Sequence, residues 1–273
     1  MIMIFSGCSS LMYAPTNDLY LNPKRLQLQQ EEITYLSQGK KIHGWLFHQN
    51  TMKETKGFIL FFHGNGQNRS SHYLALTWLL DHGYDYFIFD YQGYGESEGK
   101  PSPEATVQDG VESLRWFFQK SKEDRYKNSS LLVFAQSLGG AVALRSLAEF
   151  SISNKVPSSL KWLILDSTFI SYQRAATGIL SNHWLTFLFQ PLGPILISDT
   201  WSPKNHLSQL PKLNFLVMHG DHDQMIDIQL GKELYQELPQ PKKWLQFSGG
   251  NHINGFFVKD GYYRNEFLKI IEN

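Results

Sequence analysis

Short apolar runs alternate along this chain with longer stretches of helical period. Gly57–Phe62, Tyr84–Asp90, Leu131–Ala135, Leu160–Leu165 and Phe215–Met218 are nearly unbroken in apolar character and too short for helices. Such runs mark strands covered on both faces, as in a parallel sheet. Between and after them, spacing predicts helices over Tyr73–Leu80, Pro103–Lys120, from Leu138 onward, Ile228–Leu238 and Gly261–Ile271, with a last strand at Lys243–Phe247. Ahead of the first run, Glu32–Leu36 and Ile42–Phe47 flank the short link Gln38-Gly39-Lys40, which predicts an antiparallel hairpin at one edge of the sheet. The alternation predicts an α/β fold: a mostly parallel sheet with helices on both faces and right-handed crossovers.

One stretch breaks the alternation. Between Asp166 and Pro211 the residues Ile179, Leu180, Trp184, Leu185, Phe187, Leu188, Phe189, Leu192, Ile195 and Leu196 crowd together without a strand signal, interrupted by Pro191, Gly193 and Pro194. This predicts a small helical cap over about 168–210, inserted above the carboxyl edge of the sheet. Residues 1–30 read as a lead and residues 31–273 as one domain, with no internal repeat or linker.

Composition narrows the function. With 273 residues, 42% of them hydrophobic, the chain can bury a sizeable core in one domain. Lys plus Arg and Asp plus Glu number 25 each, so no basic field is present to hold nucleic acid. No apolar run approaches the roughly 20 residues of a membrane-spanning helix. The single cysteine, Cys8, cannot close an internal disulfide. Its setting, Met1-Ile2-Met3-Ile4-Phe5-Ser6-Gly7-Cys8-Ser9-Ser10, resembles the end of a bacterial lipoprotein signal, in which a cysteine follows small residues and is lipidated. The apolar run is shorter than the roughly 7–15 residues of an export signal, so this reading calls for a start further upstream. It implies a cell-envelope location with membrane anchoring through Cys8; the alternative is an apolar terminus on a cytoplasmic chain.

The chemistry centres on Leu131–Leu144. A strand that becomes a helix within a few residues forces its corner residue to positive φ and needs small neighbours, which Ala135 and Gly139 supply around Ser137. The corner would expose the Ser137 hydroxyl at the carboxyl edge of the sheet, as a nucleophile elbow does. The usual pattern is G-x-S-x-G, and here Ala135 stands in place of the first glycine. A serine is a weak nucleophile at neutral pH and needs a base, with a third group to orient that base. Two later loops carry such groups: His219-Gly220-Asp221-His222-Asp223 after one strand, and Ser248-Gly249-Gly250-Asn251-His252 after the last. His252 is the candidate base, with His219, His222, His63 and His72 as rivals; His219 and His63 are expected to orient their own loops. Either Asp221 or Asp223 could be the acid. Two backbone N–H groups are needed for an oxyanion hole: Leu138, directly after the serine, and Asn65, in the glycine-flanked His63-Gly64-Asn65-Gly66.

The order serine, acid, histidine, together with His-Gly-Asn-Gly after one strand and Asp90-Tyr91-Gln92-Gly93-Tyr94-Gly95-Glu96-Ser97-Glu98-Gly99 after the next, resembles the α/β-hydrolase fold serine hydrolases. The resemblance runs from about Glu32 to the end. It is to compact bacterial esterases, depalmitoylase-like enzymes and the catalytic domains of prolyl-oligopeptidase-type peptidases. Its Gly-x-x-Asp pattern selects Asp223 as the acid and leaves Asp221 as a solvated or turn-capping carboxylate. The implied activity is hydrolysis of a carboxylic ester or thioester by Ser137, His252 and Asp223. The alternatives are a serine peptidase of prolyl-oligopeptidase type and a non-catalytic, lipid-anchored binding protein on the same fold.

No cofactor is expected. The Asp90–Gly99 stretch lacks the lysine and the following helix of a phosphate loop, and reads as a structural loop beside the elbow. The His219–Asp223 cluster has no cysteine and fits the triad loop better than a metal site. The aromatic cap points to a small apolar acyl or aryl ester as substrate.

Overall fold

The computed structural model describes residues 13–51, 54–181 and 197–273. Strands β1 (Ala14–Pro15), β2 (Gln30–Ser37), β3 (Lys40–Phe47), β4 (Gly57–Phe62) and β5 (Gly66–Gln67) open the fold. There follow helices α1 (Arg69–His72) and α2 (Thr77–Leu80), strand β6 (Tyr84–Phe89), helix α3 (Pro103–Lys120), strand β7 (Ser130–Gln136) and helix α4 (Leu138–Ser153). The remainder is β8 (Leu160–Asp166), α5 (Tyr172–Ser181), β9 (Asn214–Gly220), α6 (Ile228–Glu237), β10 (Lys242–Phe247) and α7 (Tyr262–Ile271).

Eight strands form one sheet in the order β10-β9-β8-β7-β4-β6-β3-β2. Neighbours from β10 to β6 pair in parallel, and the hairpin β2–β3 adds antiparallel strands at one edge. Every residue of β4 and β6 is buried, as their continuous apolar character requires of strands with helices on both faces. Side chains alternate along each strand, so one strand feeds two cores. Phe58, Leu60 and Phe62 pack with Leu114 and Phe117 of α3, Val142 and Leu144 of α4, and Leu234 of α6. Ile59 and Phe61 pack with Leu76, Leu79 and, from α7, Phe267 and Ile271. The outer strands are blunted by charge: Glu31 and Glu32 are exposed on β2, and Lys242 and Lys243 lie on β10.

Helix α3 starts where its sequence signals it. Ser102 is the N-cap, accepting from the Ala105 N–H at 3.0 Å, and Pro103 occupies the first turn. The stretch expected as a helix over Tyr73–Leu80 differs. Asn68 caps the chain by accepting from the Ser70 N–H, so winding begins at Arg69, and a 3₁₀ turn at Tyr73–Leu76 separates α1 from α2.

Within the expected cap, α5 and two 3₁₀ turns, Pro203–Asn205 and Leu207–Gln209, are described, and Leu207 is buried in the core that contains α4. Residues 182–196, which hold most of the aromatic cap, and Cys8 lie outside the described residues.

Candidate active site

The turn from β7 into α4 places Ser137 at φ 53° and ψ −122°, in the left-handed half of backbone space that a non-glycine residue enters only under constraint. The constraints are visible. The Ser137 N–H donates to the Asp166 carbonyl at 2.8 Å, and the Ser137 carbonyl accepts from the Gly140 N–H at 3.0 Å and from Thr168 Oγ1 at 2.6 Å. Gly139 is required by close approach: a Cβ there would stand 2.4 Å from the carbonyl oxygens of Phe62 and His63. The start of α4 can therefore lie against the end of β4, which aims the helix N-terminus at the serine.

The two loops beyond β9 and β10 are laid against each other. Gly220 makes this possible, since a Cβ there would meet the Gly250 carbonyl oxygen at 2.3 Å. The His222 N–H donates to that carbonyl at 2.9 Å, and Asp221 Oδ1 accepts from the Gly249 N–H at 2.7 Å. Asp221 thus clips the loop that carries His252, while Asp223 is the carboxylate that reaches the imidazole.

Asp223 Oδ2 lies 2.8 Å from His252 Nδ1, and His252 Nε2 lies 2.9 Å from Ser137 Oγ. The ionised carboxylate can only accept, so Nδ1 carries the proton and Nε2 turns its lone pair to the serine hydroxyl. The other oxygen of Asp223 accepts from the N–H groups of Met225 and Ile226, both at 2.9 Å. Burial on its own would raise the Asp223 carboxyl. The hydrogen bonds from His219 and His252, the charge of His252 and the Ile226 N–H outweigh it and hold the group well below the usual carboxylate range. The structure thus brings Ser137, Asp223 and His252 together, as the sequence implied.

The rival histidines are engaged elsewhere. His219 is fully buried, with Nε2 at 2.9 Å from the Ile226 carbonyl and 3.4 Å from Asp223 Oδ2. His63 Nδ1 donates to the Gly64 carbonyl at 2.7 Å, and His72 Nε2 donates to that of Gly66 at 2.9 Å. Burial, with the nearby His63, pushes the His72 imidazole down to about 4, so it is neutral near pH 7. His222 contributes its backbone to the loop contact.

Of the expected oxyanion donors, Leu138 is the first residue of α4, among those whose N–H an α-helix leaves without an intrahelical acceptor. Gly64 runs beside the nucleophile: a Cβ at Gly64 would lie 3.5 Å from Ser137 Cβ. In a trans peptide the N–H and C=O point opposite ways, so the Gly64 oxygen held by His63 turns the Asn65 N–H to the other side of the loop. The Asp90–Gly99 loop packs on this segment, and its Tyr91 and Tyr94 share a core with Ala135 and Leu138 of the elbow. Asp90 takes the Arg69 guanidinium and, at 2.6 Å, the Arg69 N–H, while Tyr91 Oη donates to the His63 carbonyl at 3.0 Å.

Sequence reasoning missed the support after β8. Ser167 stands at φ 52°, and its hydroxyl accepts from the Ile253 N–H at 3.5 Å, next to the base. Nothing in the local pattern marks that strain.

Comparison with known proteins agrees with this geometry. Residues 53–210, more than half of the chain, match the family model described as Serine aminopeptidase, S33. The chain belongs to this family. The S33 match includes Ser137 and the His63–Gly66 loop and ends ahead of Asp223 and His252, which the structure supplies. YfhR of Salmonella typhimurium is 27% identical over 268 residues, covering 95% of this S33 chain and 86% of YfhR. The lysophosphatidylserine lipase ABHD12 of Xenopus tropicalis is 25% identical over 238 residues, covering 85% of this chain and 58% of that protein. Among solved structures, the esterase Pf2001 of Pyrococcus furiosus superposes with a TM-score of 0.71 at 18% identity, covering 96% of this chain and 99% of the other. The fold is that of the α/β hydrolases, and family and relatives make this S33 member a hydrolase.

Proposed function

We propose that the protein is a serine hydrolase of carboxylic esters or thioesters working through an acyl-enzyme. The observation that carries the reading is the unbroken hydrogen-bonded series Asp223–His252–Ser137 ending on a residue held at positive φ. Ser137 Oγ attacks the acyl carbon while His252 Nε2 takes its proton. His252 returns that proton to the departing alcohol or thiol, and Asp223 holds the imidazole and stabilises its charged form. A water activated by the same imidazole then releases the acid and frees Ser137. The N–H groups of Leu138 and Asn65 donate to the oxyanion, each worth roughly 2.7–4 kcal/mol in the transition state.

An ester is favoured over a peptide because the lipase among the relatives is, by its name, an enzyme of a lysophospholipid, although the family description names an aminopeptidase. The test is direct. Ser137→Ala is expected to lower turnover of a chromogenic short-chain acyl ester by about 10³-fold or more, with circular dichroism unchanged. Wild-type protein should label at Ser137 with a fluorophosphonate and should cleave the ester faster than an aminoacyl anilide. Undiminished turnover in Ser137→Ala would remove the serine mechanism, and a preference for the anilide would favour the peptidase.

A further inference from the structure

Residues 13–20 precede the sheet and follow no periodic pattern, yet they are tied down along their length. Tyr13 is buried, with its hydroxyl 3.2 Å from Thr106 Oγ1. β1 pairs in parallel with β5, Ala14 opposite Gly66 and Pro15 opposite Gln67. Asn68 Nδ2 donates to the carbonyls of Thr16 at 2.9 Å and Asp18 at 2.8 Å. The Gly95 N–H also reaches Thr16 O at 3.0 Å, and the Tyr20 N–H donates to Ser70 Oγ at 3.0 Å. After Tyr13, these partners fall in two stretches, 65–70 and 94–95, which flank the loop beside Ser137.

One tie ends on a side chain of that loop. Asn65 Oδ1 accepts from the Ala14 N–H at 3.0 Å and from Tyr94 Oη at 2.8 Å. A backbone N–H can only donate, so the amide oxygen is fixed as the acceptor and the Asn65 side chain has one orientation. With Gly64 O on His63 and Gly66 O on His72, three successive residues each present an oxygen to a donor from the surrounding structure.

We propose that Tyr94 and the Ala14 N–H are positioning groups for acyl transfer. By gripping Asn65 Oδ1 they hold the Asn65 N–H where the oxyanion forms, which makes the 13–20 segment a strap on the active site. The inference rests on the reading of Ser137 as nucleophile and Asn65 as donor. Neither positioning group touches substrate. A donor that drifts loses charge stabilisation in the transition state and leaves ground-state binding intact, so the effect belongs in kcat and not in KM.

The test is a double-mutant cycle on the full chain, read as kcat and KM for the chromogenic ester and as the rate of fluorophosphonate labelling. Tyr94→Phe keeps the ring and removes one donor; it is expected to lower kcat by about 5- to 20-fold with KM within about twofold. Asn65→Ala should do the same, and adding Tyr94→Phe to it should cost nothing further, because the shared acceptor is already gone. Ala14→Pro removes the second donor and should act in the same direction; should it fail to fold, the cycle alone decides. Wild-type kcat in a folded Tyr94→Phe, or an equal loss with and without Asn65, overturns the proposal. Wild-type labelling at Ser137 keeps the two readings apart. If the wild type labels and Tyr94→Phe matches it, only the strap fails; if the wild type neither labels nor hydrolyses, both fail.

Discussion

Asp109 is a fully buried carboxylate on α3 that accepts from the Gln92 N–H at 2.7 Å and from Gln92 Nε2 at 2.9 Å, with no cation paired to it among the described residues. Burial dominates and pushes its carboxyl up to about 6 from an ordinary 3.8, against the pull of those donors. A raised carboxyl binds its proton more tightly in the folded chain. Its favourable contribution is therefore complete below the ordinary value, fades as pH rises through the folded value, and is gone above it. We expect the stability of wild type relative to Asp109→Asn to fall by roughly 1–3 kcal/mol between pH 4 and pH 7.5, measured by urea unfolding at each pH. A pH-independent difference would contradict the assignment. The three residues that the structure brings together were legible at this scale because each follows a strand: Ser137 after an apolar run, Asp223 and His252 in polar loops after two others. Tyr94 was not legible. The role proposed for it depends on an oxygen 29 positions away in sequence, which no local pattern encodes.

At the scale of elements, the close approach of α4 to β4 decides whether Ser137 and the His63–Gly66 loop share one rim. Gly139→Ala places a methyl against two backbone carbonyls that cannot swing aside. We expect a loss of about 1–3 kcal/mol in stability, with ester turnover lowered as well. Gly66→Ala is the control, since a Cβ there meets nothing within 4 Å and should leave stability within about 0.5 kcal/mol. Thermal denaturation of the two variants side by side checks both. The strands and long helices were readable because burial on two faces leaves continuous apolar runs and burial on one leaves a stripe. The start of α1 was not read, because Asn68 acts as a cap through a single side-chain bond and four residues of helix carry too little periodicity to register. The strap was read as an unpatterned lead for a related reason: apart from the Tyr13 hydroxyl, its ties run through backbone groups of the segment, which every residue possesses.

For the molecule as a whole, the sheet divides two cores, and the candidate site gathers at the carboxyl edge where β4, β7, β9 and β10 end. Among the described residues no helix is long and apolar enough to cross a membrane. We propose that attachment, where it occurs, is through a lipid on Cys8, the only cysteine of the chain. Mass spectrometry of the protein from its native host should then find an amino terminus at Cys8 carrying acyl groups, with the protein in the detergent phase; an unmodified Met1 contradicts it. The fold class was legible from the strand–helix alternation alone. What the expected cap covers was not, since residues 182–196 have aromatic content without a period that fixes their packing.

The Gly220–Gly250 contact and the Asp221 clip make the acid and the base halves of one rigid fitting, closed downstream of β9. The long connection from β8 to β9 is spliced in before that fitting starts and after the serine has been set. Its length and composition can therefore drift while the spacing of Ser137, Asp223 and His252 stays fixed, an interchangeable part on a constant chassis.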